Sequence, residues 1–151
     1  MHIRLRKGVR ADIDGLSTLL AGLFSLETDF TIDLEKQKAG LALFLDGREG
    51  RAIFVAEDDG VLVGMVTCQL VISTAAGGYS VLLEDMYVLE AYRQKRVGTA
   101  LIRQIQNWGT EQGAMRIQLV ADERNTTARV FYKRLGFQGS FMTGLYLTLG
   151  R

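Results

Sequence analysis

Tyr92-Arg93-Gln94-Lys95-Arg96-Val97-Gly98-Thr99-Ala100 joins a strand-like run, Ser80 to Val88, to a segment whose apolar residues Leu101, Ile105 and Trp108 recur at helical spacing. A loop that enters a helix this way leaves backbone N–H groups unpaired at the positive end of the helix dipole. Three cations, Arg93, Lys95 and Arg96, fall within four residues of a chain whose net charge is only +1. Such a loop suits a phosphorylated ligand, a diphosphate above all.

Outward from this loop, the pattern alternates between strand and helix. Ile3 and Leu5 alternate with Arg4 and Arg6, as in a first strand. From Ala11 or Asp12, the residues Ile13, Leu16, Leu19, Leu20, Leu23 and Phe24 share one helical face. An acidic connector, Glu27 to Asp33, leads to a second helix from Leu34 to Leu45, interrupted by Gly40. Arg51 to Ala56 reads as a strand, Asp58-Asp59-Gly60 as a hairpin turn, and Val61 to Ile72 as an apolar strand covered on both faces. After the small-residue loop Ser73 to Gly78 and the fourth strand, the helix opened by the loop runs to Gln112 and stops at Gly113. Arg116 to Val120 is the fifth strand, and Asn125 to Leu135 a helix closed by Gly136. Phe137 to Leu149 is expected to hold the last strand or strands. The order predicts an α/β fold in one domain, 1–151, with a central mixed, mostly antiparallel sheet and about four helices.

Composition permits this reading without selecting it. The 151 residues are 48% hydrophobic and 23% charged, ordinary values for a globular protein. The near-neutral balance argues against nucleic acid as a partner. One cysteine forms no internal disulfide, and no apolar run approaches the ~20 residues that span a bilayer. No membrane association is expected, and the location expected is cytoplasmic. With one His and one Cys no transition-metal site is expected, and a Ser-His or Cys-His dyad is difficult to assemble. Cys68 and Trp108 read as core.

A second motif is Asn125-x-x-Ala128-x-x-Phe131-Tyr132-x-x-Leu135-Gly136-Phe137. Together with Arg93-x-x-Arg96-x-Gly98 it resembles the GNAT superfamily of N-acetyltransferases, whose cofactor loop has the form Arg/Gln-x-x-Gly-x-Gly/Ala. The resemblance is specific from Val61 to Phe137 and only topological before it. One departure stands out: Arg96 occupies the place of the first glycine. Either its side chain points away or grips a phosphate, or the loop holds coenzyme A less tightly.

The resemblance implies a sheet splayed between strands 4 and 5, with acetyl-CoA as co-substrate and no metal. It places Arg93, Gln94, Lys95, Arg96, Val97, Gly98 and Thr99 on the cofactor's phosphates. The backbone of Met86, Tyr87 and Val88 would pair with the pantetheine arm, with Asn125, Ala128 and Tyr132 beside it. Asn125 also reads simply as a helix N-cap. Acetyl transfer to an amine expels a thiolate whose acid has a pKa of about 8.5, and a phenol at about 10 can protonate it. The family often uses a tyrosine at the position of Tyr132 for this.

Leu83-Glu84-Asp85 puts two adjacent carboxylates in an apolar strand, costly unless they are used or paired. Strand alternation sends them to opposite faces unless a bulge intervenes. The segment resembles the diamine acetyltransferase branch, which implies Glu84 as base and Asp85 as a contact to a cationic acceptor. A structural ion pair with an arginine is the plainer alternative. The acceptor pocket is expected among Phe24, Glu27, Asp29, Phe30 and Asp33. The implied activity is direct attack by a small cationic amine on acetyl-CoA in a ternary complex. A non-catalytic coenzyme A sensor is the other class of function. The alternation of Leu145, Leu147 and Leu149 suggests strand pairing across a homodimer.

Overall fold

The structure, a computed structural model, describes residues 1–27 and 29–150. Within the acidic connector, Thr28 lies outside the described residues. The chain divides into two compact units after Gln118.

In the first unit, β1 (Ile3–Lys7), β2 (Arg51–Asp58), β3 (Val61–Ser73), β4 (Gly78–Val88) and β5 (Arg116–Gln118) form one sheet in the order β1-β2-β3-β4-β5. The first three pairings are antiparallel and β4–β5 is parallel. The nearly unbroken apolar run of β3 is therefore explained: it is the middle strand, and Val63 to Cys68 are buried. The Asp58–Gly60 turn carries Asp59 and Gly60 at positive φ, as a tight hairpin requires.

Alternation along the strands feeds two apolar layers. One face presents Ile53, Val55 and Met65 to Leu16, Leu19 and Leu20 of α1 (Ile13–Phe24) and Leu41 of α2 (Leu34–Phe44). The other packs against α3 (Val97–Glu111), whose Val97, Leu101, Ile102, Ile105 and Trp108 are buried. The expectations for Cys68 and Trp108 hold, since both are core. α1 begins after a 3-10 turn, Arg10–Asp12, because Asp12 is held by the Arg6 guanidinium at 2.8 and 2.9 Å and by the Val9 N–H. At Gly22 a Cβ would fall 2.8 Å from the Tyr87 ring, so glycine there lets α1 lie close over β4.

In the second unit, α4 (Thr126–Arg134) is capped by Asn125, whose side-chain oxygen accepts from the Ala128 N–H at 3.0 Å. Gly136, at φ +98°, ends it as expected. Two expectations fail beyond β4. β5 stops at Gln118 rather than Val120, and no strand occurs among the described residues of 119–150. The alternation around Leu145, Leu147 and Leu149 is real, but a strand exists only against a partner edge, and these side chains stay 86–92% exposed.

Candidate active site

β4 changes character half-way along. Its lower part, Ser80 to Leu82, has β3 on one side and β5 on the other. From Leu83 to Val88 it pairs with β3 alone among the described residues, as a sheet splayed between strands 4 and 5 requires. Met86, Tyr87 and Val88, the expected backbone partners of an extended ligand, lie on this one-sided stretch.

The strand runs into the loop through a 3-10 turn at Glu90–Tyr92. The Arg93 side chain turns back: its Nε donates to the Val88 carbonyl at 2.9 Å, and its guanidinium sits 5.4 Å over the Tyr87 ring. Lys95 lies 5.8 Å over the Tyr92 ring. Tyr92 itself donates to Asp58 at 2.7 Å, which ties the loop to the β2–β3 hairpin. Sequence reasoning missed that tether, because nothing local links residues 58 and 92. Gln94 and Arg96 both have left-handed backbones, at φ +59° and +64°. Arg96 thus adopts the conformation a glycine would supply, as the N-cap of α3, with its side chain exposed. Buried Val97 anchors the helix start, and Gly98 and Thr99 lie in its first turn. The cradle is a backbone N-terminus with cations around it, suited to phosphate.

At the carboxylates a bulge does intervene. Val66 pairs with Met86 and Cys68 with Leu83, so Glu84 and Asp85 together face the single residue Thr67. Thr67 and Asp85 make two contacts: the Asp85 N–H donates to Thr67 Oγ1 at 3.1 Å, and that hydroxyl donates to Asp85 Oδ2 at 3.5 Å. Thr67 is 1% exposed and lies on the α1 side of β3, in step with Met65. Burial pushes the Asp85 carboxyl up to about 7, and the nearby charges of Glu84 and Glu27 push the same way. Glu84 is exposed. The structural ion-pair reading is not met, for no cation makes a salt bridge with either carboxylate among the described residues. The signal for Thr67 was present in the sequence, as a hydroxyl within the apolar run Val63 to Cys68.

Phe24 ends α1 and packs on the core beneath it, with the exposed Phe30 ring 5.6 Å away. Glu27 follows, and Asp29 and Asp33 are exposed; Asp33 also caps α2 through the Lys36 N–H. Two open clefts of about 290 and 420 Å³ lie around Lys7 and contain none of these residues.

In the second unit Tyr132 meets Phe131 and Phe137 edge-on at 5.2 and 5.5 Å. Burial pushes its phenol up to about 12, so it holds its proton at neutral pH. Among the described residues no cluster of three or more His, Cys, Asp and Glu side chains could hold a metal, and no helix is long and apolar enough to cross a membrane.

Comparison with known proteins bears on this arrangement. The family model described as Acetyltransferase (GNAT) family matches residues 20–137. Aminoglycoside N(6')-acetyltransferase type 1 of Salmonella typhimurium is 32% identical over 90 residues, which cover 58% of this chain and 62% of that protein. The chain thus spans less than two thirds of the length of that curated relative. Among solved structures, aminoglycoside N-acetyltransferase AAC(6')-Iy in complex with CoA is 22% identical, covers 99% of this chain and 96% of its own, and has a TM-score of 0.85. The same enzyme with the bisubstrate analogue CoA-S-monomethyl-acetylneamine is 23% identical, covers 98% of this chain and 99% of its own, and has a TM-score of 0.82. With most of its length matched by the family model, the chain belongs to the GNAT acetyltransferase family.

Proposed function

We propose that the chain transfers an acetyl group from acetyl-CoA to a primary amine on a small cationic acceptor, as a single cytoplasmic domain. The observation that carries this is the one-sided stretch of β4 leading straight into the N-terminus of α3. An open strand edge suits an amide-bearing arm, and a helix N-terminus with adjacent cations suits a diphosphate. Coenzyme A has both. The Met86, Tyr87 and Val88 backbone would take the arm, with Asn125, Ala128 and Tyr132 beside it. Residues Arg93 to Thr99 would take the phosphates.

The acceptor amine attacks the thioester directly, since among the described residues no activated nucleophile is placed to form an acyl-enzyme; the one cysteine, Cys68, is buried with its thiol pushed up to about 12. The Glu84–Asp85 pair draws in the ammonium, deprotonates it, and leaves Tyr132 to protonate the departing sulfur. The named relatives favour an aminoglycoside-like acceptor. The Leu-Glu-Asp resemblance to diamine acetyltransferases supports a polyamine instead, and Glu27, Asp29 and Phe24 would line the site for either. The test is thiol release from acetyl-CoA with neamine, spermidine, amino acids and peptides. Tyr132→Phe should lower turnover at least ~100-fold with coenzyme A affinity unchanged, the range of a lost general acid. Equal rates in the two proteins would sink the acid role.

We also propose that the protein works as a homodimer, with a second copy covering the exposed apolar side chains of Phe141, Leu145, Leu147 and Leu149. Sedimentation velocity should show one species of twice 16.8 kDa, and a monomer at micromolar concentration would contradict it.

A further inference from the structure

The two carboxylates of the bulge are not equivalent, and the difference reverses the roles their sequence resemblance implies. We propose that Asp85, set by Thr67 at the β3–β4 bulge, takes the proton from the acceptor ammonium, while the exposed Glu84 and the half-buried Glu27 serve to attract the cation. This deepens the acetyltransferase reading and rests on it.

Three observations converge on Asp85. It has a second anchor, since Thr67 both accepts from its N–H and donates to its carboxylate. Thr67 is buried in the central strand, at 1% exposure. Among the described residues, the charges that act on the carboxylate are those of acids: Glu84 on its own strand and Glu27 just past α1. A carboxylate desolvated among like charges becomes a better proton acceptor, and a value of about 7 is well matched to neutral pH. Glu84, by contrast, is exposed.

The proton count closes. Of the ammonium's three protons one remains on the product amide. One passes to Asp85 and on to solvent as the C–N bond forms and the C–S bond breaks. The last balances the proton delivered to the leaving sulfur. Thr67 is a positioning residue: its hydroxyl holds Asp85 in place and lowers its proton affinity.

The experiment combines the carboxyl carbon-13 NMR titration of Asp85 with rate profiles for neamine and spermidine, in wild type, Asp85→Asn, Glu84→Gln, Thr67→Val and Thr67→Ser. Asp85 should titrate near 7. Asp85→Asn should lower kcat ~100-fold or more and abolish the acid limb of the profile. Glu84→Gln should raise the acceptor KM several-fold with little change in kcat. Thr67→Val should move both the NMR midpoint and the acid limb to higher pH, and Thr67→Ser should restore them. An Asp85 midpoint near 4, or a large kcat loss in Glu84→Gln with none in Asp85→Asn, overturns the assignment while leaving the acetyltransferase intact. Failure of wild type to bind coenzyme A by calorimetry overturns the acetyltransferase reading itself.

Discussion

The two halves of β4 show how one strand can be both scaffold and site. From Ser80 to Leu83 it is largely enclosed: Ser80, Val81 and Leu83 are buried, and β5 closes the far edge through Leu82. From Glu84 on, the same strand pairs with β3 alone among the described residues, and carries a bulge, two acids and a tyrosine in contact with the cation of the next loop. The enclosed half has satisfied backbone and apolar contacts, and so carries stability. The open half keeps a desolvated carboxylate and a backbone that departs from the regular ladder at the bulge, which cost stability and make chemistry possible. The contrast predicts that substitutions in the two halves move different observables.

The largest stability change belongs to the enclosed half. Leu83 is 2% exposed and pairs with Cys68 in the centre of the sheet. Leu83→Ala should lose about 2–5 kcal/mol, the range for a buried leucine truncation. Urea denaturation reads the loss. Coenzyme A affinity well below the new midpoint should remain within a few-fold of wild type. A small stability change with a large loss of affinity would erase the distinction between the halves.

In the open half the sign should reverse. The Asp85 carboxyl lies near 7 in the fold against 3.8 when unfolded. Between those values the folded protein binds the extra proton, so this group's contribution to stability falls as pH rises from about 4 to 7. Asp85→Asn keeps the shape of the neutral acid and removes that dependence. It should therefore be more stable than wild type at pH 8, by about 2 kcal/mol. That is a discounted share of the ~1.4 kcal/mol per unit of the shift. Below pH 4 the two should converge. Stability curves at pH 3.5, 6 and 8 check this, and a variant less stable than wild type at pH 8 would show that the site costs nothing.

Legibility in the sequence followed the same division. Apolar periodicity and the unbroken run of β3 located the strands and α-helices of the first unit. They did not locate the 3-10 turns at Arg10–Asp12 and Glu90–Tyr92 or the end of β5, which have no buried residue to enforce a pattern. The cofactor loop and the α4 cap were readable for a different reason: their residue types answer to local backbone geometry. The bulge was not readable, since nothing in Leu83-Glu84-Asp85 states which residue of β3 stands opposite. The roles of the two acids turn on that register. The terminal alternation around Leu147 misled in the opposite way, because period alone signals a capacity to pair and cannot supply the partner.

The smallest effect concerns the loop where the open half ends. At φ +64° and ψ +12° Arg96 occupies a left-handed backbone that costs a side-chain-bearing residue about 1 kcal/mol. Glycine would relieve that strain but would also free the unfolded chain, at about 0.5–1 kcal/mol. The two nearly offset, so Arg96→Gly should change stability by no more than about 0.5 kcal/mol. Binding distinguishes the two readings of this residue. If backbone N–H groups do most of the work on the diphosphate, coenzyme A affinity changes little and its salt dependence becomes shallower by one charge. If the Arg96 side chain itself grips a phosphate, affinity falls about tenfold, as expected for a charge-assisted hydrogen bond. The exposed, uncapped geometry of Arg96 favours the first outcome. Calorimetric titrations at two salt concentrations, with stability held nearly constant by the choice of glycine, separate a loop that binds through its fold from one that binds through its charges.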